Sequence, residues 1–126
     1  MLRGTLIGAK VVEEDPTGRD RHEPGAKMDK GKAPIRQGVI QYFPRALEAI
    51  ALVSLHGAEK YAWKGWESVP NGVARYGDAA GRHALAEATE GLYDPKTGYL
   101  HAAHEAWNAL ARLELMLREG TAPHAP

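Results

Sequence analysis

The chain has 126 residues, enough for one domain with a modest core. Sixteen basic and sixteen acidic side chains cancel, which removes the global field expected of a general nucleic-acid binder or an anionic-membrane protein. There is no cysteine, so disulfides, thiolate zinc sites and cysteine nucleophiles are excluded.

Residues 1–34 are rich in glycine, proline and charge, and Glu13 to Lys32 shows no apolar periodicity. Leu2, Leu6, Ile7, Val11 and Val12 would suit a short strand or an arm laid on a partner. The segment reads as an extended N-terminal arm. Met1 to Lys10 is too short and too weakly apolar for a secretory signal. No apolar run approaches the ~20 residues that span a bilayer. A soluble cytoplasmic protein without membrane or nucleic-acid partners is therefore the expectation.

The first helix is predicted to start at Pro44, where a missing N–H costs nothing. Leu47, Ile50, Ala51 and Leu55 form its apolar stripe, with Val53 on a flanking row, and Gly57 supplies a stop. Ala58 to Tyr61 reads as a short polar helix or turn, and Lys64 to Gly72 as a loop. A second helix is predicted from about Val73 to Gly91, with Asn71 as its cap. Asp94-Pro95-Lys96-Thr97-Gly98 is a turn by composition. The third helix is predicted from about Tyr99 to Arg118, with Leu100, Ala103, Trp107, Leu110, Leu113 and Leu117 at helical spacing.

These elements predict an all-α antiparallel helical bundle over residues 35–120, followed by a frayed tail at 121–126. Large apolar residues are few. Burying one is worth ~1.5–3 kcal/mol, so the core is expected to be completed by a second copy, as a homo-oligomer (dimer or tetramer).

The polar content of the second and third helices carries the chemistry. Residues three or four apart share a helical face. His83, Glu87 and Glu90 obey that spacing, and Asp94 follows at the helix exit. His101, Glu105 and Asn108 repeat it on the third helix, with Arg112 one turn later. A short turn makes the two helices antiparallel neighbours, so both rows can converge on one cleft. Facing carboxylates repel unless a cation lies between them, and hard oxygen ligands suit Mg²⁺ or Mn²⁺, with room for two or three ions. The alternative is that Glu87, Glu90 and Glu105 are solvated faces of amphipathic helices.

Glu87-x-x-Glu90, fourteen residues, then Glu105-x-x-Asn108 resembles the ExxE…ExxD signature of the MazG-like all-α NTP pyrophosphohydrolases. A longer string runs through Lys27-x-Asp29-x-Gly31-Lys32, His56-Gly57-Ala58-Glu59-Lys60-Tyr61 and Trp66. It continues with Arg82-His83, Asp94-Pro95-x-x-Gly98, His101 and Asn108. Together these residues resemble the phage dATP/dGTP diphosphohydrolase branch, which includes the dGMP-forming enzyme of phages that use 2-aminoadenine. The resemblance spans about residues 26–118. It implies metal-dependent hydrolysis of a purine deoxynucleoside triphosphate, dGTP and/or dATP, to the monophosphate and pyrophosphate. It also implies a place in the host cytoplasm if the chain is phage-encoded.

Under this resemblance Glu87, Glu90 and Glu105 are metal ligands, one of them also a candidate to orient the attacking water. Asn108 stands where the family usually has Asp. Its neutral carbonyl is a weaker ligand and would serve instead on a metal-bound water or the substrate, while Asp94 could restore the lost charge. Lys27, Lys32, Lys60 and Arg82 are candidates for the phosphates, against the alternative of solvated surface charges; arginine offers two oxygens a bidentate contact. Tyr61, Trp63 and Trp66 could stack on a base or sit in a core or interface. Asp29 could accept from a guanine edge or cap a turn. His83, His101 and His104 could be ligands, orienting groups or surface residues, with phosphate contact or orientation of ligands preferred for His83 and His101.

Other classes compete. A non-enzymatic helical assembly or nucleotide-binding protein of phage origin would use the same helices without turnover. A His-Asp phosphohydrolase needs a His followed directly by Asp, which this sequence lacks. A Walker-type NTPase needs a glycine loop ending in Gly-Lys-Ser/Thr, and Gly31-Lys32-Ala33 fails that pattern.

Overall fold

A computed structural model describes residues 13–126 of the chain. The apolar positions at 2, 6, 7, 11 and 12 lie outside the described residues. Three α-helices carry the architecture: α1 (Pro44–Lys60), α2 (Gly72–Glu90) and α3 (His101–Arg118). A π-helical turn at Arg36–Ile40 precedes α1, and a 3₁₀ turn at Gly65–Ser68 lies between α1 and α2. The described residues contain no strand beyond a single antiparallel pairing of Tyr93 with Leu100. The fold is all-α, as the periodicity predicts.

The helix boundaries differ from the predicted ones for local reasons. α1 runs through Gly57 to Lys60, because Gly57 keeps a right-handed backbone and the following Ala58-Glu59-Lys60 are good helix formers. Its last cap is the Tyr61 N–H donating to the Gly57 carbonyl at 2.9 Å. Asn71 precedes α2 but its side chain makes no capping bond. Its left-handed backbone (φ 56°) departs from the extended conformation that aims a capping side chain at the helix.

α2 and α3 form an antiparallel hairpin, with the start of α2 beside the end of α3. The approach is close because the facing residues are small. A Cβ on Gly72 would lie 2.7 Å from Leu115 Cδ1, and one on Gly77 would lie 3.3 Å from Arg112 Nε. α1 packs across α3, where Val53, Ala103 and Ala111 are buried.

An aromatic cluster pins the connection between α1 and α2. Trp66, Tyr76 and Trp107 meet edge to face, with centroid separations of 5.7–6.3 Å. The Tyr76 hydroxyl donates to the Trp66 carbonyl at 2.7 Å, and Trp107 Nε1 donates to Ser54 Oγ at 2.8 Å. Arg118 lies over the Trp66 ring at 5.4 Å and pairs with Glu67. One cluster thus ties the loop to all three helices.

α2 ends at Gly91, whose backbone (φ 131°, ψ 176°) lies in a region essentially reserved for glycine. Gly91→Ala is expected to cost about 1–3 kcal/mol of stability. Thermal unfolding checks this: a lowered midpoint is expected, and an unchanged one would show that the chain leaves α2 by another route.

Candidate metal centre

The α2–α3 junction is organised by one carboxylate. Asp94 Oδ1 accepts from the Lys96 N–H at 2.8 Å, closing a local turn. The Asp94 carbonyl accepts from Gly98 N–H at 2.7 Å, and the Asp94 N–H donates to the Tyr99 carbonyl at 2.8 Å. Gly98 accommodates this turn with a left-handed φ of 79°. The His101 N–H then donates to the Leu92 carbonyl at 2.9 Å and starts α3.

Three imidazoles collect around this turn. His83 of α2 and His101 of α3 face each other through their Nδ1 atoms at 2.9 Å. The His104 ring stacks on His83 at 4.5 Å between centroids, tilted by 8°. His104 Nε2 lies 2.7 Å from Thr97 Oγ1 and 3.8 Å from Asp94 Oδ2. Thr97 Oγ1 also accepts from the Tyr99 N–H at 3.2 Å, so its own proton can go to His104. His56 of α1 reaches the same region, meeting Tyr99 edge to face at 6.1 Å.

Burial decides the charge state here. Desolvation pushes the proton affinities of His83 and His104 below the ordinary imidazole value of 6.5. On His83 the attraction of Asp94 and Glu105 opposes this, while His101 and Arg82 reinforce it. On His104 the neighbouring imidazoles His83, His101 and His56 add to the depression and Asp94 opposes it. Both rings are therefore neutral near pH 7, and the His104–Asp94 approach is a dipolar contact, not an ion pair.

His83, Asp94 and His101 each offer a ligand atom, and these atoms all lie within 4.8 Å of one another. Asp94 and His101 are 9% and 4% exposed, and the His101 Nε2 has no hydrogen-bond partner. A buried imidazole with an unpartnered nitrogen, grouped with a second imidazole and a carboxylate, fits a divalent cation. Two imidazoles and one carboxylate are donor types that first-row divalent ions accept.

The remaining predicted residues are distributed around this centre. Glu105 is half-buried and close enough to act electrostatically on His83. Glu87 is half-buried one turn beyond His83, and Glu90 is exposed at the end of α2. The compact donor group among the described residues is His83–Asp94–His101; it does not include Glu87, Glu90 and Glu105. Asn108 is buried, with Nδ2 donating to the His104 carbonyl at 2.8 Å, so this amide braces the helix turn that carries His104. Arg82 is exposed beside His83. Lys60 lies over the Tyr61 ring at 5.1 Å, and that ring is 76% exposed. Trp66 belongs to the aromatic cluster. In the arm, Lys32 pairs with Glu13 at 3.3 Å, whereas Lys27 is exposed and Asp29 half-buried. Thr97 was legible only as a turn residue, since nothing in its spacing reveals a partner seven residues on.

The fold is thus an all-α hairpin whose turn gathers two imidazoles and a carboxylate, a donor group that could hold a divalent ion. The chain belongs to the family described as dATP/dGTP diphosphohydrolase, N-terminal, whose model matches residues 22–123. That membership supports nucleotide diphosphohydrolase activity in general terms. Comparison with curated proteins and with solved structures finds no match.

The depressed imidazoles make a pH prediction. Below the ordinary value of 6.5 the unfolded chain binds protons that the folded state resists, so stability present above that value is lost as pH falls. Thermal unfolding at about pH 5 should show a lower midpoint than at about pH 7.5, with a smaller difference in His104→Asn. Equal midpoints in the wild-type chain would contradict the assignment of neutral buried rings.

Proposed function

We propose that the chain hydrolyses a purine deoxynucleoside triphosphate, dGTP and/or dATP, to the monophosphate and pyrophosphate, as a MazG-like enzyme of the phage branch. The observation that carries this reading is the match of residues 22–123 to the dATP/dGTP diphosphohydrolase family, in a chain whose Glu87, Glu90 and Glu105 lie on the two helices joined at the α2–α3 turn. The cofactor is Mg²⁺ or Mn²⁺ accompanying the triphosphate. When bound, such ions offset phosphate charge and lower the pKa of water, which makes hydroxide available near neutral pH.

The chain's own residues divide the remaining work. Glu87, Glu90 and Glu105 present hard oxygens along the two helices that meet at the centre, with Asp94 nearby at the turn. Asn108 keeps His104 in place through its bond to the helix backbone. Water attacks the α-phosphorus, the bond to the β-phosphate oxygen breaks, and pyrophosphate leaves. His83, neutral because burial disfavours its charged form, presents a ring nitrogen to the centre and orients what binds there. Arg82 and Lys60, both exposed, would meet phosphate oxygens, and Lys27 and Lys32 of the arm would add to them. Tyr61 offers an open ring face for the purine, Trp66 fixes the loop that carries it, and Asp29 accepts from the base edge.

The working form is a homo-oligomer in the cytoplasm. Val53, Ala103 and Ala111 are the buried apolar residues among those described, whereas Phe43, Leu85 and Leu113 are more than half exposed. Covering such residues against a second copy supports stability. No helix among the described residues is long and apolar enough to cross a membrane.

Incubation with each common dNTP and NTP in Mg²⁺ or Mn²⁺, followed by ion-exchange separation, tests the reading. Monophosphate plus pyrophosphate from dGTP or dATP is expected. Stepwise orthophosphate release, intact triphosphate release or no turnover would reject it. Glu105→Gln, which keeps shape and removes charge, should lower kcat roughly 100-fold. A variant as active as the wild-type chain would take Glu105 out of the machinery.

A further inference from the structure

The glutamates and the histidine group offer metals different chemistry. Carboxylates along α2 and α3 suit hard ions that keep their water. His83, Asp94 and His101 present two imidazole nitrogens and one carboxylate oxygen, a donor set that suits borderline first-row ions far better than Mg²⁺ or Ca²⁺. We propose that His83, Asp94 and His101 form a resident transition-metal site for Co²⁺, Ni²⁺ or Zn²⁺, distinct from the Mg²⁺ or Mn²⁺ that arrives with the nucleotide.

Three independent observations converge on this site. The first is the distance between the facing nitrogens. His83 Nδ1 and His101 Nδ1 are 2.9 Å apart. Nitrogens about 2.1 Å from one ion are about 3.0 Å apart on adjacent octahedral positions and about 3.4 Å apart on tetrahedral ones. The observed spacing matches adjacent positions. The second is the state of His101, which is 4% exposed with an unpartnered Nε2. Without a cation the two facing Nδ1 atoms must share one proton, which holds one of the two rings as its Nδ1–H tautomer. A cation between the rings takes both Nδ1 lone pairs and removes the need for that shared proton.

The third is the built surround. His104 stacks on His83, holding its ring plane, and is itself held by Thr97. Asp94 is fixed by the Lys96 N–H on Oδ1, which confines its carboxylate. Groups that lock the ligands in this way are what a metal site needs to be selective. Three protein ligands leave positions open for water or a phosphate oxygen. In that consequence the inference rests on the hydrolysis proposed above; the binding itself does not.

Cobalt tests the site without reference to turnover. Full-length, tag-free protein stripped with chelator is titrated with Co²⁺ while the visible d–d bands are followed. A saturable band at one Co²⁺ per chain is expected, displaced by Zn²⁺ and unaffected by millimolar Mg²⁺. His83→Ala, a half-exposed position whose fold is checked by circular dichroism, should weaken Co²⁺ binding about 100-fold or more. Glu90→Gln should leave the band unchanged. In the wild-type chain, Co²⁺ should shift the imidazole NMR signals of His83 and His101, which tests the ligands without any variant. The absence of a saturable band, displacement by Mg²⁺, or unshifted His83 and His101 signals would overturn the site. An intact cobalt band in a chain that fails to hydrolyse any dNTP would sink the hydrolysis reading alone.

Discussion

The carboxylate of Asp94 is shared between two tasks, and the rest of the site depends on how it is shared. One oxygen belongs to the turn, accepting from Lys96 N–H while the backbone of the same residue bonds Gly98 and Tyr99. The other lies 3.8 Å from His104 Nε2, and the carboxylate offers a ligand atom to the group it forms with His83 and His101. The bonds that end α2 and begin α3 therefore also set the position of the only carboxylate in the compact donor group. A short turn that is rigid by its own hydrogen bonds can hold a negative charge next to buried imidazoles without floppy loop entropy working against it.

The hairpin supplies the other half of that constraint. Small residues on α2, notably Gly72 and Gly77, let it lie close against α3, and this closeness puts His83 between His101 and His104. Wider spacing would let water between the rings and return their proton affinities towards the ordinary value. The neutral state of His83 and His104 is thus a product of packing, and it is the state in which imidazole serves as a ligand or a proton acceptor. The aromatic cluster at the other end of the hairpin, built on Trp66, Tyr76 and Trp107, keeps α1 and the α1–α2 loop in register with this arrangement.

Much of the architecture was legible in the sequence because it rests on local rules. Pro44 marks the start of α1, the Asp94–Gly98 run marks the turn, and the apolar spacing of α3 identifies its length. The end of α1 was not, since Gly57 stops a helix only when it adopts a left-handed backbone, and here it does not. The candidate site divides in the same way. The rows His83–Glu87–Glu90 and His101–Glu105–Asn108 follow from helical spacing. Which members of those rows meet depends on the offset between two helices, and that offset is set by residues far from the site, such as Gly72 against Leu115. Hence the sequence favoured the glutamates, whereas the compact group draws on the first histidine of each row together with Asp94. Asn108, read as a weak ligand, turns its amide to the backbone at His104.

The central claim is that the nucleotide is handled at the α2–α3 junction. The chain has six histidines, and His124 in the tail serves as an internal reference. The direct measurement follows the histidine ring signals by NMR while a non-hydrolysable dGTP analogue is added with Mg²⁺. The account predicts saturable shifts at His83, His101 and His104, with His124 unmoved. Saturable binding that leaves those three rings unchanged would place the nucleotide elsewhere and contradict it.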